Sequence, residues 1–426
     1  MIIPYSKMSK EQLEEEYSRV KKSYDEYKAK GLNLDMSRGK PAPEQLDLSL
    51  PMLDIVDSNA DYNAGIDCRN YGGPEGLPEA KKLMADMMGV SPSNVIIFGN
   101  SSLNIMFDLI STAMNKGIMG GTPWGKLDRV KFLCPVPGYD RHFAITEYFG
   151  IEMINIPMSA EGPDMDMVEE YVNNDPEVKG IWCVPKYSNP QGVTYSDETV
   201  KRFAALKPAA KDFRIIWDNA YVVHHIYEDK QDELLNILEE CEKCGNPDMV
   251  YMLASTSKVT FPGSGISALA ASENNISDVM SRMKWQTIGH DKLNQLRHVR
   301  FLKDLDGIKA HMSKHADIIR PKFEMVLDIL DKNLGGLGIG EWIRPNGGYF
   351  ISFESLDGCA RAIVVKAKEA GVVMTGAGAT YPYHNDPKDS NIRIAPTYPS
   401  VDDLRTAAEL FTVCVKLVSL EKYLNI

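Results

Sequence analysis

The sequence has no apolar run approaching the roughly 18 residues that a membrane-spanning helix needs. Its first residues, MIIPYSKMSKEQLEEE, lack the apolar core of a secretory signal peptide. Cysteine is scarce too, and seven residues spread thinly along the chain do not suit a disulfide framework. These absences predict a cytoplasmic protein that has no membrane partner.

Positive charge is also in deficit, because 47 lysines and arginines stand against 59 aspartates and glutamates. Nucleic acids and anionic membranes both demand a basic surface, so we expect no nucleic-acid partner. A small anionic substrate stays compatible, because a few arginines in one cleft can make a local positive field. No metal site is predicted either, since the pair Cys241 and Cys244 has no second pair at zinc-site spacing.

The length of 426 residues exceeds what one hydrophobic core normally supports and predicts two domains. In residues 53–296 short apolar runs alternate with helical stretches, which predicts a large α/β domain whose mostly parallel, seven-stranded sheet lies between helices. Residues 1–52 and 297–426 predict a smaller α+β domain. Its N-terminal helix would start at a capping box of Ser9 and Gln12. Pro321 would kink a C-terminal helical stretch or start a new segment in it. The apolar runs of the large domain are NVIIF, VKFLC, IEMINI, GIWCV, FRIIW and MVYML.

Polar residues follow several of these runs directly, and ligands of parallel sheets bind at the carboxyl ends of strands. A Gly turn and two serines, Gly99 to Ser102, precede a helix and could bind phosphate at its N-terminus. Asn189 follows the fourth run and Asp218 the fifth, and Lys258 follows the sixth. Each has an ordinary structural explanation alone, but together they supply a phosphate site, a donor, a carboxylate and an amine.

The motifs resemble the signature of class I/II aminotransferases, which are fold-type I enzymes dependent on pyridoxal 5′-phosphate (PLP). The matching segments are Asn-Pro-x-Gly at 189–192, Asp-x-x-Tyr at 218–221 and Ser-x-Ser-Lys at 255–258. Further segments, among them RNYGGPEGLPEA and CPVPGYDRHF, are similar to a bacterial aspartate aminotransferase subgroup that is related to the aminotransferase-like domain of MocR regulators. The resemblance covers about residues 38–400 and implies the PLP-dependent transferase fold.

The resemblance implies a role for each matching position. Lys258 would form the Schiff base and carry the proton between Cα and C4′, Asp218 would keep the pyridine nitrogen protonated, and Asn189 and Tyr221 would bind the phenolic oxygen. Arg393 would bind the substrate α-carboxylate. The other implied cofactor contacts are Ser101, Ser102, Ser255 and Ser257 at the phosphate, Tyr139 stacked on the ring, and Tyr71 reaching the phosphate of a partner subunit in a homodimer with shared sites.

One position departs from the family pattern. Many members carry a phosphate-binding arginine eight residues after the lysine, where this chain has Ile266. The phosphate would then be held with less charge, by another cation, or by backbone N–H groups near Gly263 and Gly265.

The implied reaction is a ping-pong transfer of the amino group of L-aspartate to 2-oxoglutarate, giving oxaloacetate and L-glutamate. An aspartate donor needs a second cation for its distal carboxylate. Arg38, Arg141, Lys186 and Arg297 are candidates, and Arg38 and Arg141 are favoured because they lie within the subgroup-like segments. His224 and His225 are interpreted as structural.

Other functions fit the same scaffold. It could act on another amino acid, as a β-lyase, or as an aspartate β-decarboxylase, since a fold does not fix its chemistry. A PLP-binding regulator without turnover is disfavoured, because only about 35 residues precede the first motif and the chain is acidic.

Overall fold

A computed structural model describes residues 2–426, in which α-helices make up much of the chain. Several helices start at a side-chain cap, and the capping box predicted at Ser9 and Gln12 is present at the start of the first helix. None of the described helices is long and apolar enough to cross a membrane. The α-helices are α1 (Lys10–Ala29), α2 (Pro43–Asp47), α3 (Pro78–Met88), α4 (Ser102–Lys116), α5 (Asp140–Tyr148), α6 (Met165–Asn174), α7 (Asp197–Ala204), α8 (Ile237–Lys243), α9 (Glu273–Met283), α10 (Lys292–Leu302), α11 (Leu305–Leu334), α12 (Ala360–Glu369) and α13 (Val401–Leu424).

The strands coincide with the apolar runs of the sequence. All six runs quoted above form strands, and three of them, β2, β6 and β7, are buried along their whole length. The strands are β1 (Leu34–Asp35), β2 (Val95–Phe98), β3 (Lys131–Val136), β4 (Glu152–Ser159), β5 (Gly162–Pro163), β6 (Val178–Cys183), β7 (Arg214–Asp218), β8 (Val250–Ser255), β9 (Ser267–Ala271), β10 (Gly340–Trp342), β11 (Ile351–Ser355), β12 (Val372–Val373) and β13 (Asn391–Ile394).

The large sheet has the order β2-β9-β8-β7-β6-β3-β4-β5. Neighbours from β8 to β4 are parallel, whereas β9 runs antiparallel to both β8 and β2. The two-residue β5 pairs antiparallel with the end of β4 and is the eighth strand. Without it the sheet has the seven strands expected, and the predicted α/β fold class is confirmed.

The two ends of the chain share a second core. The antiparallel sheet β10-β11-β13 and the parallel pair β1-β12 belong to it, and α1 and α11 both pack on α13. Leu13 of α1, Phe323 of α11 and Leu404 of α13 lie in one buried cluster. Residues from both ends of the chain thus pack together. The division into residues 53–296 and residues 1–52 with 297–426 stays a prediction, and α10 runs across its boundary at 296/297.

Helix α11 passes through Pro321 without a break. The prediction that Pro321 could start a new segment is therefore wrong. A proline inside a helix costs one N–H bond and some strain. Buried neighbours on both sides of it, Ile319 and Phe323, hold the helix together across this position.

Candidate active site

Lys258 lies in the turn that follows β8, between the two parts of the molecule. Its Nζ is 5.0 Å from the centroid of the Tyr221 ring. Desolvation lowers the pKa of this amine, and the nearby Asp218 carboxylate opposes the shift. The amine is therefore more available as a nucleophile and base than that of an ordinary lysine.

Asp218 ends β7 and is 3% exposed. Its Oδ2 lies 3.0 Å from His142 Nε2, and the His142 ring stacks on Trp182 with centroids 4.5 Å apart. Its Oδ1 is buried and has no hydrogen-bond partner among the described residues. A buried carboxylate oxygen without a partner is costly, so this atom is suited to a cationic N–H donor from a bound group.

His142 was missed by the sequence reasoning. It lies on the inner face of α5, and nothing in its spacing links it to Asp218, which is 76 positions away. Only the adjacency of β3, β6 and β7 brings the start of α5 beside the end of β7.

Three further predicted residues surround this carboxylate. Asn189 is 4% exposed and follows β6 at a cis peptide bond with Pro190. Burial raises the pKa of Tyr221 well above its usual value, and the nearby Tyr139 phenol adds to the shift. Burial, followed by the charge of Asp218, also raises the pKa of Tyr139 to about 12. Both phenols stay protonated at neutral pH and can donate hydrogen bonds.

Arg393 projects from β13 of the smaller part and is 8% exposed. One of its terminal nitrogens donates to Asp140 Oδ1 at 3.0 Å and to Asn189 Oδ1 at 3.2 Å. The other lies 3.4 Å from Thr375 Oγ1, and Nε is buried with no partner among residues 2–426. The guanidinium lies over the ring of Phe350, 4.8 Å from its centroid. It therefore connects the two parts of the chain and keeps donors for a carboxylate.

The predicted phosphate residues converge at the N-terminus of α4. Ser101 is the N-cap of this 15-residue helix, and Ser102 is its first residue. From β8, Ser255 Oγ lies 3.1 Å from Ser257 Oγ, which donates to the carbonyl of Asn100 at 3.0 Å. Hydroxyls and free helix N–H groups thus meet in one place, as anion binding requires.

Ile266 takes no part in this group. Its side chain is 1% exposed, and its backbone N–H donates to Thr256 Oγ1 at 2.9 Å. Gly265 lies so close to the turn that a Cβ on it would be 3.4 Å from Ser257 N. The segment 263–266 therefore approaches the serines through backbone rather than through a charged side chain.

The four candidate cations lie in different surroundings. Arg38 and Arg141 are exposed and form no ion pair within the described chain. Lys186 is 7% exposed, and burial lowers its pKa to about 8. Arg297 donates to Ser264 Oγ at 2.7 Å.

Arg38 and Arg141 both lie next to residues that are bonded to the Arg393 group. Thr375, a partner of Arg393, donates to the carbonyl of Ser37 at 2.6 Å, and Asp140 precedes Arg141. Both arginines are therefore close in sequence to residues that contact the Arg393 site.

The remaining predicted positions differ in their surroundings, and of these His224 lies near Lys258. Tyr71 is 80% exposed, so its ring makes little contact with its own chain. His225 Nδ1 is 2.7 Å from the Tyr187 hydroxyl, and His224 is buried. No cluster of three or more potential metal ligands occurs within residues 2–426, and Cys241 and Cys244 are both free.

The comparison with known proteins identifies the family. The model of the aspartate amino-transferase family matches residues 8–425. An aspartate aminotransferase of Corynebacterium glutamicum is 45% identical over 409 residues, which is 95% of this chain and 94% of that protein.

Solved structures agree with this. An aspartate transaminase from C. glutamicum superimposes with a TM-score of 0.95 at 44% identity and 98% coverage of both chains. The α-aminoadipate aminotransferase of Thermus thermophilus, complexed with N-(5′-phosphopyridoxyl)-L-leucine, has a TM-score of 0.72 at 20% identity, covering 94% of this chain and 95% of that one, and shares the fold. The chain therefore belongs to the aspartate aminotransferase family and is an aminotransferase of the PLP-dependent fold type I.

Proposed function

We propose that this chain is a PLP-dependent aspartate aminotransferase. It would move the amino group of L-aspartate to 2-oxoglutarate by a ping-pong mechanism and yield oxaloacetate and L-glutamate. The observation that carries the proposal is the pairing of the Lys258 amine, which has a lowered pKa, with the buried and unpartnered Oδ1 of Asp218.

The site residues fit PLP in charge and in hydrogen-bonding capacity. Asp218 Oδ1 would accept the N–H of a protonated pyridine, with His142 fixing the carboxylate through its other oxygen. When bound, PLP supplies an electron sink that makes the Cα–H of an attached amino acid acidic. Lys258 Nζ would take that proton from Cα and return it to C4′ on the same face of the cofactor. One amine would thus act first as general base and then as general acid.

The surrounding groups would orient the cofactor. Tyr221 and Asn189 would donate to its phenolic oxygen, and Tyr139 would cover a face of the ring. Ser101, Ser102, Ser255 and Ser257 would hold the phosphate at the α4 N-terminus, which supplies part of the missing positive charge.

Arg393 would bind the substrate α-carboxylate with its planar fork. Asp140 now shares this guanidinium at 3.0 Å, so the substrate carboxylate would compete with it or displace it. Arg38 and Arg141 would supply the charge for the distal carboxylate, because both lie next to residues bonded to the Arg393 group.

A single-turnover absorbance measurement tests the proposal. The purified full-length chain is saturated with PLP, and L-aspartate is then added without a 2-oxo acid. We expect loss of the visible band of the bound cofactor, growth of a band of its amino form, and one equivalent of oxaloacetate per site. A Lys258→Met variant is the control and should show none of these changes.

Two results would contradict the proposal. Release of alanine and CO₂ would indicate aspartate β-decarboxylation on the same scaffold. An unchanged spectrum with aspartate, together with a response to another amino acid, would support the aminotransferase assignment but exclude aspartate as the amino donor.

A further inference from the structure

The turn that carries Lys258 is tightly closed by its own backbone. The carbonyl of Thr256 accepts from Val259 N at 2.9 Å and from Thr260 N at 2.8 Å. Lys258 lies inside this turn, so the position of its amine depends on how the turn is held. Two helices, α10 and α11, hold it through buried histidines.

His298 of α10 binds the first side of the turn. Its Nε2 lies 2.9 Å from Thr260 Oγ1 and 3.2 Å from Thr256 Oγ1, and its Nδ1 lies 2.7 Å from the carbonyl of Asn294. Since a carbonyl can only accept, Nδ1 carries the proton and Nε2 accepts from the hydroxyls. The ring is fully buried, and burial lowers its pKa to about 4, so it is neutral at physiological pH.

His311 and His315 of α11 bind the second side. His311 Nε2 lies 2.8 Å from the carbonyl of Val259, the residue that follows Lys258. His315 Nε2 is 3.1 Å from His311 Nε2, so it contacts the ring that lies against this carbonyl. Burial lowers the pKa of both rings, that of His315 to about 3. The three residues His298, His311 and His315 are called the histidine cluster below.

Gln45 of α2 fixes the orientation of this cluster. Its Oε1 accepts from the backbone N–H of Ala42 at 3.0 Å, so its amide nitrogen faces the other way. That nitrogen donates to His315 Nδ1 at 3.0 Å and to the Tyr349 hydroxyl at 2.9 Å. His315 Nδ1 therefore accepts, and its N–H is on Nε2, the atom that lies 3.1 Å from His311 Nε2.

Gln45 also connects the cluster to the segment that bears Arg38. Only a few residues separate Arg38 from α2, and Gly39 packs against the Phe350 ring beneath Arg393. Buried polar contacts thus run from Gln45 through His315 and His311 to the carbonyl of Val259, and the segment before Gln45 lies against the Phe350 ring.

We propose that Gln45 and the histidine cluster are positioning residues for Lys258, because they hold the hydroxyls of Thr256 and Thr260 and the carbonyl of Val259 in the turn around it. The proposal rests on the proposed function for its catalytic meaning. The contacts themselves need no cofactor, so the two can be tested separately.

The experiment measures the Lys258 amine directly. The full-length chain, freed of cofactor, is labelled with acetic anhydride at a series of pH values, and labelling of the Lys258 peptide is quantified by mass spectrometry. Removing the cluster contacts should let water reach the amine and raise its pKa towards the ordinary lysine value. For Gln45→Met and His315→Phe we expect a rise of about half a unit or more.

The groups that face Lys258 are the same in every variant. They are Asp218, Tyr221 and His224. A shift in the labelling midpoint therefore reports the turn and not a changed neighbour.

Two further variants separate positioning from general loosening of α11. His315→Gln keeps an N–H near the place of Nε2 and should restore most of the wild-type pKa. Ile319→Ala removes a buried side chain one turn further along the same helix and should lower the melting temperature without moving the pKa.

The same chains are then loaded with PLP, and the visible absorbance of the bound cofactor is titrated with pH. Relative to the wild-type enzyme, Gln45→Met and His315→Phe should shift the midpoint of this titration by more than Ile319→Ala does. Shifts in labelling and in absorbance no larger than those of Ile319→Ala would overturn the proposal. Absence of a visible band in the wild type would instead contradict the PLP assignment and leave the labelling result intact.

Discussion

At the residue scale, the site combines two buried ionisable groups, an amine and a carboxylate. Desolvation lowers the pKa of Lys258, whereas Asp218 keeps one oxygen on His142 and leaves the other without a partner. Neither arrangement favours folding, because buried charged or unpaired groups cost free energy. Costs of this kind concentrate at functional sites.

The lowered pKa of Lys258 predicts a pH-dependent stability effect. Between that pKa and the ordinary value of about 10.4, the unfolded chain holds a proton that the folded chain lacks. Stability therefore rises with pH across this window, and the wild type carries a penalty at pH 7. In the cofactor-free protein, Lys258→Met should be more stable than the wild type at pH 7, by an amount that shrinks as the pH approaches 10.4.

Urea denaturation of both proteins between pH 7 and pH 10 measures this difference. A constant difference across the range would show that Lys258 titrates normally in the folded chain.

Two exposed arginines are predicted to set donor preference. Arg38→Ala and Arg141→Ala each remove an exposed cation that lies one residue from Ser37 or Asp140, near the Arg393 site. A charge-assisted hydrogen bond contributes about 1.5–3 kcal/mol, so the KM for aspartate should rise by about 10- to 100-fold while the KM for alanine changes little.

Steady-state kinetics with both donors check this, and Arg361→Ala, an exposed arginine on α12, is the matched control. Equal increases for aspartate and alanine would exclude a distal-carboxylate role.

At the element scale, the segment between β1 and α2 packs against the floor of the pocket. A Cβ on Gly39 would lie 2.3 Å from Phe350 Cζ, which is closer than atoms can approach. The Arg393 guanidinium lies over the same Phe350 ring. A shift of this segment therefore moves the Arg393 pocket.

Gly39→Ala should raise the KM for the amino acid, with a smaller effect on the proton-transfer step at Lys258. Overpacking should also destabilise the chain by about 1–3 kcal/mol. Gly376→Ala is the control, because its Cβ would meet nothing within 4 Å and the residue follows Thr375, a partner of Arg393. Steady-state kinetics and urea denaturation of both variants would test this, and similar KM values would contradict the expected coupling.

The elements themselves differ in how far they could be predicted. Six strands of the large sheet could be predicted because each is a short apolar run followed by turn residues. The continuity of α11 through Pro321 could not be predicted, since packing in the second core overrides the local cost of proline.

At the scale of the whole molecule, several large apolar side chains remain exposed. Tyr71 is 80% exposed, Trp285 is 84% exposed and Ile288 is 62% exposed. Exposed aromatic and aliphatic groups of this size are typical of protein interfaces. They support the proposal of a homodimer in which Tyr71 reaches the partner's phosphate site.

Subunit complementation tests the shared site. Lys258→Ala and Tyr71→Ala chains are each purified, mixed after mild unfolding and refolded together. Random pairing makes half of the dimers mixed. If Tyr71 contributes to the site that contains the partner's Lys258, each mixed dimer has one intact site. About a quarter of the wild-type activity should then return in an equimolar mixture. Activity equal to the sum of the two separate variants would exclude a shared site.

The sequence by itself predicted the fold class and, by resemblance, the aminotransferase family. Lys258, Asp218, Asn189 and Tyr221 were found because strand ends are marked by local patterns, and the carboxyl ends of parallel strands must share one edge of the sheet. Arg393 came from resemblance alone, since its strand belongs to a different sheet.

The tertiary structure decided which groups meet across large sequence separations. The His142 contact with Asp218, the Asp140 contact with Arg393, and the link from Gln45 through His315 and His311 to Val259 all join residues from different elements. No local pattern encodes such pairs, because strand order and helix packing set them. The residues around Lys258 were therefore readable from the sequence, whereas the contacts that position them were visible only in the folded chain.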